Sequence, residues 1–174
     1  EGGKEIVITG VNIGDFGKST GESFFDLVKA LDAVEGIERY RISSIEPNLL
    51  TDEIIEYVAK SRAFMPHFHI PLQSGCDATL VRMNRRYNTE EYKAGCEILR
   101  KYFEHPAITT DVIVGFPGET DEDVDQTIDL VRRAGFDNAF TFIYSKRTGT
   151  PAAAMDNQVP EEVVKRNFNR VLEA

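Results

Sequence analysis

The chain has 174 residues, of which 41% are hydrophobic and 28% are charged, proportions typical of a soluble globular protein. Its 20 basic and 29 acidic residues give a formal net charge of −9. Nucleic-acid-binding surfaces are basic, so this charge argues against such a surface made by the chain as a whole. No apolar run has the length of a membrane span and no signal peptide opens the sequence. We therefore expect no membrane partner and a cytoplasmic location.

Strand and helix patterns alternate along the chain. Short apolar or β-branched runs predict five strands, at 5–9, 39–44, 68–72, 108–114 and 139–144. Helical patterns follow at 23–34, 51–60, 77–83, 89–102, 120–134 and 160–172. This alternation predicts an α/β fold with a parallel sheet and right-handed crossovers. No linker divides the chain, so we expect a single domain over 1–174 that is part of a larger parallel (βα) barrel.

Polar or glycine-rich residues follow each predicted strand. In parallel α/β folds these loops share the carboxyl edge of the sheet, where ligands bind. The most informative loop is Gly115-Phe116-Pro117-Gly118, which leads to a helix with Thr120 as its expected N-cap. Five such loops predict a pocket for a polar, nucleotide-sized ligand. The sequence contains neither GxxxxGK[ST] nor GxGxxG, so the usual modes of phosphate binding are not supported.

The candidate metal ligands are few. Cys76 and Cys96 lack CxxC spacing and are interpreted as buried free thiols. His67 and His69 alternate along a strand and point to one face, but no suitable third ligand is near them in the sequence. We therefore expect hydrogen-bonded histidines and no metal site.

The strand-end motifs, taken in order, resemble the radical S-adenosylmethionine (SAM) methylthiotransferase family. They are ITGVN at 8–12, ISSIEP at 42–47, HIPLQSG at 69–75, MNRRY at 83–87, DVIVGFPGET at 111–120 and YSKRTGTPA at 144–152. Together they cover nearly the whole chain. The loops TGVN and HFHIPLQSG look most like the threonylcarbamoyladenosine tRNA branch, whereas the isopentenyladenosine and ribosomal-protein branches differ there.

The resemblance implies a truncated barrel of radical SAM type, with about five of six strands. It implies two cofactors, S-adenosylmethionine and a [4Fe-4S] cluster, which generate a 5′-deoxyadenosyl radical. The implied reaction adds a methylthio group to C2 of a hypermodified adenosine next to the anticodon, so the implied partner is the tRNA anticodon region. The sulfur donor and the electron donor are not identified by it. The cofactors carry the chemistry, and no catalytic residue is assigned to the chain.

By position, the resemblance implies specific contacts with S-adenosylmethionine. Gly10 and Asn12 are expected to face its methionyl part. Gln73 and Ser74 are expected to face the ribose. Arg86 is expected to pair with the methionine carboxylate.

The loop after the fourth strand is expected to lie beside the adenine. The residues of this group are Ile113, Gly115, Phe116, Pro117 and Gly118. The resemblance implies backbone contacts here, which require a loop with little side-chain bulk.

The chain departs from the family pattern in its cysteines. The CxxxCxxC triplet that binds the cluster is absent, and Cys76 and Cys96 do not replace it, because cluster ligands must converge at one locus. We expect the first strand with its cluster loop, an N-terminal cluster domain and a C-terminal RNA-binding domain to be absent from this chain. The chain alone is then expected to bind no iron and to be inactive.

Three alternatives remain open at the level of sequence. The first is a methylthiotransferase that acts on a ribosomal protein. The second is a cluster-free barrel that binds an anionic metabolite through Arg86, Lys146 and Arg147. The third is a non-catalytic scaffold with an apolar partner interface.

Overall fold

The computed structural model describes residues 2–174, in which strands and helices alternate. The strands are β1 (Glu5–Ile8), β2 (Arg39–Ile42), β3 (Phe64–His69), β4 (Ala107–Val114) and β5 (Asn138–Ile143). The helices are α1 (Phe24–Asp32), α2 (Asp52–Lys60), α3 (Asp77–Arg82), α4 (Thr89–Tyr102), α5 (Asp121–Ala134) and α6 (Glu161–Leu172). Short 3-10 turns lie at Ile13–Asp15, Pro47–Leu49 and Pro151–Ala154.

Hydrogen bonds join the strands into one sheet in the order β1-β2-β3-β4-β5. The β1–β2, β2–β3 and β3–β4 pairs are parallel, with Glu5 opposite Arg39 and Phe68 opposite Ile108. Each strand is followed by a helix before the next strand begins. The predicted parallel α/β architecture is therefore confirmed.

The third strand begins earlier than the sequence pattern predicted. The prediction was 68–72, whereas the structure has Phe64–His69. Tyr40 pairs with Phe64 and Ile42 pairs with Phe68, so the register shifts between these pairs. Pro66 lies in the shifted part of β3, and a proline has no N–H to donate to a sheet. We attribute the irregularity to this missing donor. Pro66 also explains why the sequence pattern did not predict the first residues of β3.

Side-chain caps fix where the helices begin. The Thr120 hydroxyl accepts a hydrogen bond from the backbone N–H of Asp123 at 3.2 Å, and the Asp123 carboxylate accepts one from Thr120 N–H at 3.1 Å. This reciprocal capping box confirms Thr120 as the cap of α5. Ser23 and Asp26 form the same arrangement at α1. At its other end, α5 stops at Gly135, which has φ of 61°.

The chain divides into two compact units. Unit 1 consists of the chain up to Pro71 together with Glu91–Thr109, and unit 2 consists of Leu72–Glu90 and Thr110–Ala174. In unit 1, Tyr40 and Phe64 are buried and stack with ring centroids 5.1 Å apart. In unit 2 the buried apolar residues include Leu72, Leu80, Val112, Val114 and Val124. The single domain stays a prediction. No helix within residues 2–174 is long and apolar enough to span a membrane.

Candidate functional site

A cleft of about 690 Å³ opens in unit 2 at the carboxyl end of β4. Its wall includes Asp111 and Ile113 from β4, Phe116 from the following loop, and Gln73. Gln73, Ile113 and Phe116 were all predicted from the sequence to contact a ligand, and the structure brings them together. The cleft has the size of a small-molecule site.

Gln73 is the most constrained residue of this cleft. Its φ is 68°, a left-handed backbone conformation that costs free energy in a residue with a side chain. Backbone hydrogen bonds hold it there: Gln73 N–H donates to Asp111 O at 2.8 Å, and Ile113 N–H donates to Gln73 O at 2.9 Å. The side chain is 8% exposed, and its Oε1 is buried with no hydrogen-bond partner among the described residues. A buried acceptor without a donor is costly, and Gln73 lines the cleft, so a ligand donor that reaches this side chain would relieve the cost.

The loop after β4 is held by a buried carboxylate. Gly115 has φ of 84°, and its N–H donates to Glu119 Oε1 at 2.7 Å. Burial raises the pKa of Glu119 to about 7; the hydrogen bond from Gly115 and the nearby Arg82 oppose the rise, while the charge of Asp123 adds to it. The sequence did not single out Glu119, although it lies in the motif that carried the prediction.

Phe116 lies against Tyr144, with an edge-on ring contact at a centroid distance of 5.3 Å. Pro117 is buried beside it. Gly118 has φ of 78° and donates its N–H to Asn157 O at 2.8 Å. The N–H groups of Gly118, Ile113 and Gly115 are thus all donated within the protein. At these three residues, contacts with an adenine would therefore use carbonyl oxygens and van der Waals surfaces.

Two other residues that were predicted to contact the ligand do not line the cleft. Ser74 is fully buried and its hydroxyl accepts a hydrogen bond from Cys76 N–H at 3.2 Å, and it does not line the cleft. Arg86 is exposed and also lies outside the cleft wall, whereas its neighbour Arg85 is part of it. The sequence did not predict Arg85, Phe142 or Tyr144 as site residues, although the motifs at 83–87 and 144–152 point to this region.

Gly10 and Asn12 follow β1 in unit 1. A side chain at Gly10 would lie 2.8 Å from Ile13 Cγ2, so the turn requires a glycine. The Asn12 amide donates to Asp15, and its Oδ1 is buried without a hydrogen-bond partner within residues 2–174.

After β2, Ser44 has φ of 58°. A left-handed backbone thus follows β2, β3 and β4 alike, and it is strained at Ser44 and Gln73 but not at Gly115, which has no Cβ.

A network of polar side chains joins α3 and α5. The Asp123 carboxylate accepts hydrogen bonds from the Cys76 thiol at 3.1 Å, from the Thr79 hydroxyl at 3.3 Å and from the Arg82 guanidinium at 2.8 Å. Burial opposes the ionisation of Asp123, but the hydrogen bonds from Cys76, Thr120 and Arg82 outweigh it and lower its pKa. Asp123 is therefore a structural anion that ties α5 to α3.

Neither cysteine is placed to bind an iron–sulfur cluster. Cys76 donates its thiol hydrogen to Asp123, and burial raises the pKa of Cys96 to about 11. A metal or cluster requires thiolates, which this burial disfavours. Within residues 2–174 no group of three His, Cys, Asp or Glu side chains is arranged to hold a metal ion.

Known proteins of one name resemble this chain in sequence. The tRNA-2-methylthio-N(6)-dimethylallyladenosine synthase of Lachnoclostridium phytofermentans is 44% identical over 170 residues, which are 97% of this chain and 37% of that protein. The protein of the same name from Streptomyces viridosporus is 47% identical over 174 residues, 99% of this chain and 34% of that protein. The chain therefore spans about a third of the length of these relatives. Both names belong to the dimethylallyladenosine branch, so the threonylcarbamoyladenosine branch is not confirmed.

Solved structures support the fold. Coproporphyrinogen III oxidase from Escherichia coli, described as a radical SAM enzyme, superposes with a TM-score of 0.71 at 16% identity, over 96% of this chain and 38% of that one. A radical SAM methyltransferase from Sphaerobacter thermophilus superposes with a TM-score of 0.55 at 20% identity, over 98% of this chain and 48% of that one. The family model of the radical SAM superfamily matches residues 1–131. The chain therefore belongs to the radical SAM superfamily.

Proposed function

We propose that the complete protein is a tRNA-modifying methylthiotransferase, which adds a methylthio group to C2 of a hypermodified adenosine next to the anticodon. The proposal rests on the 44% and 47% identities to tRNA methylthiotransferases, which extend over 97% and 99% of the chain. Similarity of that extent includes every strand end described above. A tRNA substrate also favours the cytoplasmic location expected from the sequence.

Membership of the superfamily implies S-adenosylmethionine and a [4Fe-4S] cluster as cofactors. When bound, S-adenosylmethionine supplies the organic radical and the methyl group. The unit 2 cleft fits a molecule of this kind, because it combines an unpartnered buried acceptor, an aromatic wall and a cation. We propose that Gln73 Oε1 accepts a hydrogen bond from the ribose and that Phe116 and Ile113 pack against the adenine.

For the methionine carboxylate, the structure favours Arg85 over Arg86, because Arg85 lines the cleft. The planar guanidinium can bind a carboxylate through two parallel hydrogen bonds. Contacts of Gly10 and Asn12 with the methionyl part remain a proposal that rests on the family resemblance. The unpartnered Asn12 Oδ1 is the observation within unit 1 that supports it.

The cluster does not fit the described cysteines, because both are buried, Cys76 donates its thiol hydrogen to Asp123 and burial raises the pKa of Cys96 to about 11. We propose that the ligands of the cluster lie outside residues 2–174. A CxxxCxxC motif in the reading frame upstream of Glu1 would support this proposal. The absence of such a motif from the complete reading frame would contradict it.

The test of function uses the complete protein, reconstituted with iron and sulfide without oxygen. It is incubated with S-adenosylmethionine, a reductant and either of two tRNAs, which carry N6-dimethylallyladenosine or N6-threonylcarbamoyladenosine. Nucleosides from the digested tRNA are then analysed by mass spectrometry. We expect a methylthio product with the dimethylallyl substrate, since the relatives carry that name. A product only with the threonylcarbamoyl substrate would assign the other branch, and cleavage of S-adenosylmethionine without any tRNA product would contradict the proposed acceptor.

A further inference from the structure

The two sides of the unit 2 cleft differ in exposure. Gln73 and Phe116 are each 8% exposed and define what we call the inner side, whereas Phe142 is 52% exposed, Arg147 is also exposed, and these two define the outer side. A small ligand can enter the cleft and contact the buried side chains. A macromolecule can contact only the exposed side chains. The outer side is therefore the part of this cleft that a large substrate can reach.

The chemistry of the outer side is unusual for this chain. The chain carries a net charge of −9, yet the described wall of the cleft contains two arginines, Arg85 and Arg147, and one carboxylate, Asp111. An exposed aromatic ring and a guanidinium on the wall of one cleft are side chains of the kind that bind single-stranded nucleic acid. The ring stacks on a base and the cation contacts a phosphate.

We infer that Phe142 and Arg147 form the RNA-binding side of the cleft. Phe142 stacks on a base of the anticodon loop, and Arg147 binds a phosphate next to that base. This inference rests on the proposed function, which supplies tRNA as the substrate. It assigns the inner side of the cleft to S-adenosylmethionine and the outer side to RNA. It also explains how an acidic chain can take part in RNA recognition through two side chains.

The first experiment measures the binding of an anticodon stem–loop RNA to the complete protein by fluorescence anisotropy, as a function of salt. Arg147→Ala is expected to weaken binding about tenfold and to reduce the slope of log Kd against log salt by about 0.7 to 0.9, the value for one lost phosphate contact. Arg147→Lys is expected to retain most of the slope. Lys146→Ala is the matched control, because Lys146 is the adjacent cation but does not line this cleft. Equal effects of the Lys146 and Arg147 variants would overturn the assignment of Arg147.

The second experiment separates stacking from charge. Phe142→Ala is expected to weaken RNA binding at least fivefold with an unchanged salt slope, and Phe142→Tyr is expected to bind normally. Phe140→Ala is the matched control, because Phe140 is 47% exposed on the same strand but lies outside the cleft wall. Both phenylalanines are about half exposed, so neither variant should unfold the protein.

The readouts distinguish the inference from the function on which it rests. The affinity for S-adenosylmethionine, measured by calorimetry on the same variants, should stay within about twofold of the wild-type value. A large loss there would assign Phe142 and Arg147 to the cofactor and overturn the inference. Variants that bind RNA as well as the wild-type protein does would also overturn it while leaving the proposed function intact. Wild-type protein that binds no RNA would overturn both.

Discussion

The Glu119 carboxylate accepts a 2.7 Å hydrogen bond from the backbone N–H of Gly115. This bond joins the two ends of the turn that follows β4. Glu119 is 9% exposed, and burial raises its pKa to about 7. Arg82 and Asp123, which act on this carboxyl from α3 and α5, lower and raise its pKa respectively. The charge state of the turn therefore changes close to neutral pH.

Glu119→Gln should change how the free energy of unfolding depends on pH. The pKa of this carboxyl is near its ordinary value of 4.5 in the unfolded chain and about 7 in the folded one. Between these values only the folded state keeps the proton, so the wild-type protein loses stability as pH rises through this window. The difference amounts to at most about 3 kcal/mol. The glutamine keeps an acceptor for Gly115 N–H but does not titrate, so its stability should be flatter in that window, as measured by urea unfolding at several pH values.

Glu122→Gln is the control for this substitution, since Glu122 is exposed in the first turn of α5. Its urea unfolding curves should follow the wild-type pH dependence. Parallel pH curves for the Glu119→Gln and wild-type proteins would show that Glu119 ionises normally, contrary to the prediction.

Gly115→Ala should destabilise the protein for two reasons that can be separated. Its φ of 84° disfavours any side chain, and an added Cβ would lie 2.7 Å from both Val164 methyl groups. Gly21 has a similar φ of 82° but open space around it, so Gly21→Ala measures the backbone cost alone, about 1 kcal/mol. We expect a cost of about 2 to 4 kcal/mol at Gly115 because overpacking adds to it. Chemical denaturation would measure both variants, and equal costs would exclude the clash with Val164.

Gln73→Gly and Gln73→Ala should differ in stability but should both weaken ligand binding. Gln73→Gly relieves the left-handed backbone strain, so its free energy of unfolding should exceed that of Gln73→Ala by about 1 kcal/mol. Both variants remove the unpartnered Oε1, and both should bind S-adenosylmethionine at least tenfold more weakly. Calorimetry and urea unfolding of the two variants test this. Unchanged affinity in both would show that Oε1 contacts no ligand atom.

The two thiols should be unreactive while the 174-residue chain is folded. Cys96 is 3% exposed with a pKa of about 11, so at pH 8 about one molecule in a thousand carries the thiolate. Iodoacetamide should label Cys96 only after unfolding, and anaerobic reconstitution should leave the chain without iron. The denatured chain serves as the labelling control. Stoichiometric iron with a [4Fe-4S] spectrum would contradict the prediction that these residues bind no cluster.

The sequence predicted element order well and side-chain detail poorly. The run of alternating strands and helices is visible because apolar periodicity and helix caps such as Thr120 are local signals. The start of β3 was wrong, because Pro66 interrupts a strand that tertiary pairing nevertheless completes. Local pattern also failed to show which of two adjacent arginines enters the cleft. That choice depends on the backbone after α3, where Asn84 has φ of 56°, and on packing that no sequence motif displays.

The sequence motifs also predicted a branch of the family that the comparisons do not confirm. Our expectation of threonylcarbamoyladenosine came from two short loops, whereas the identities to dimethylallyladenosine synthases extend over nearly the whole chain. Short polar loops are shared among relatives that use the same cofactor. They therefore report the cofactor more strongly than the acceptor.

The left-handed residues at Ser44, Gln73 and Gly115 have a thermodynamic consequence for ligand capture. Their φ angles of 58°, 68° and 84° are set by the protein fold before any ligand arrives. Loops that are already in this conformation lose little configurational entropy when a ligand binds. The loops that contain Gln73 and Gly115 should therefore bind a ligand of the unit 2 cleft with a small entropic penalty, and the cost of the left-handed backbone at Gln73 should appear as reduced stability of the free protein.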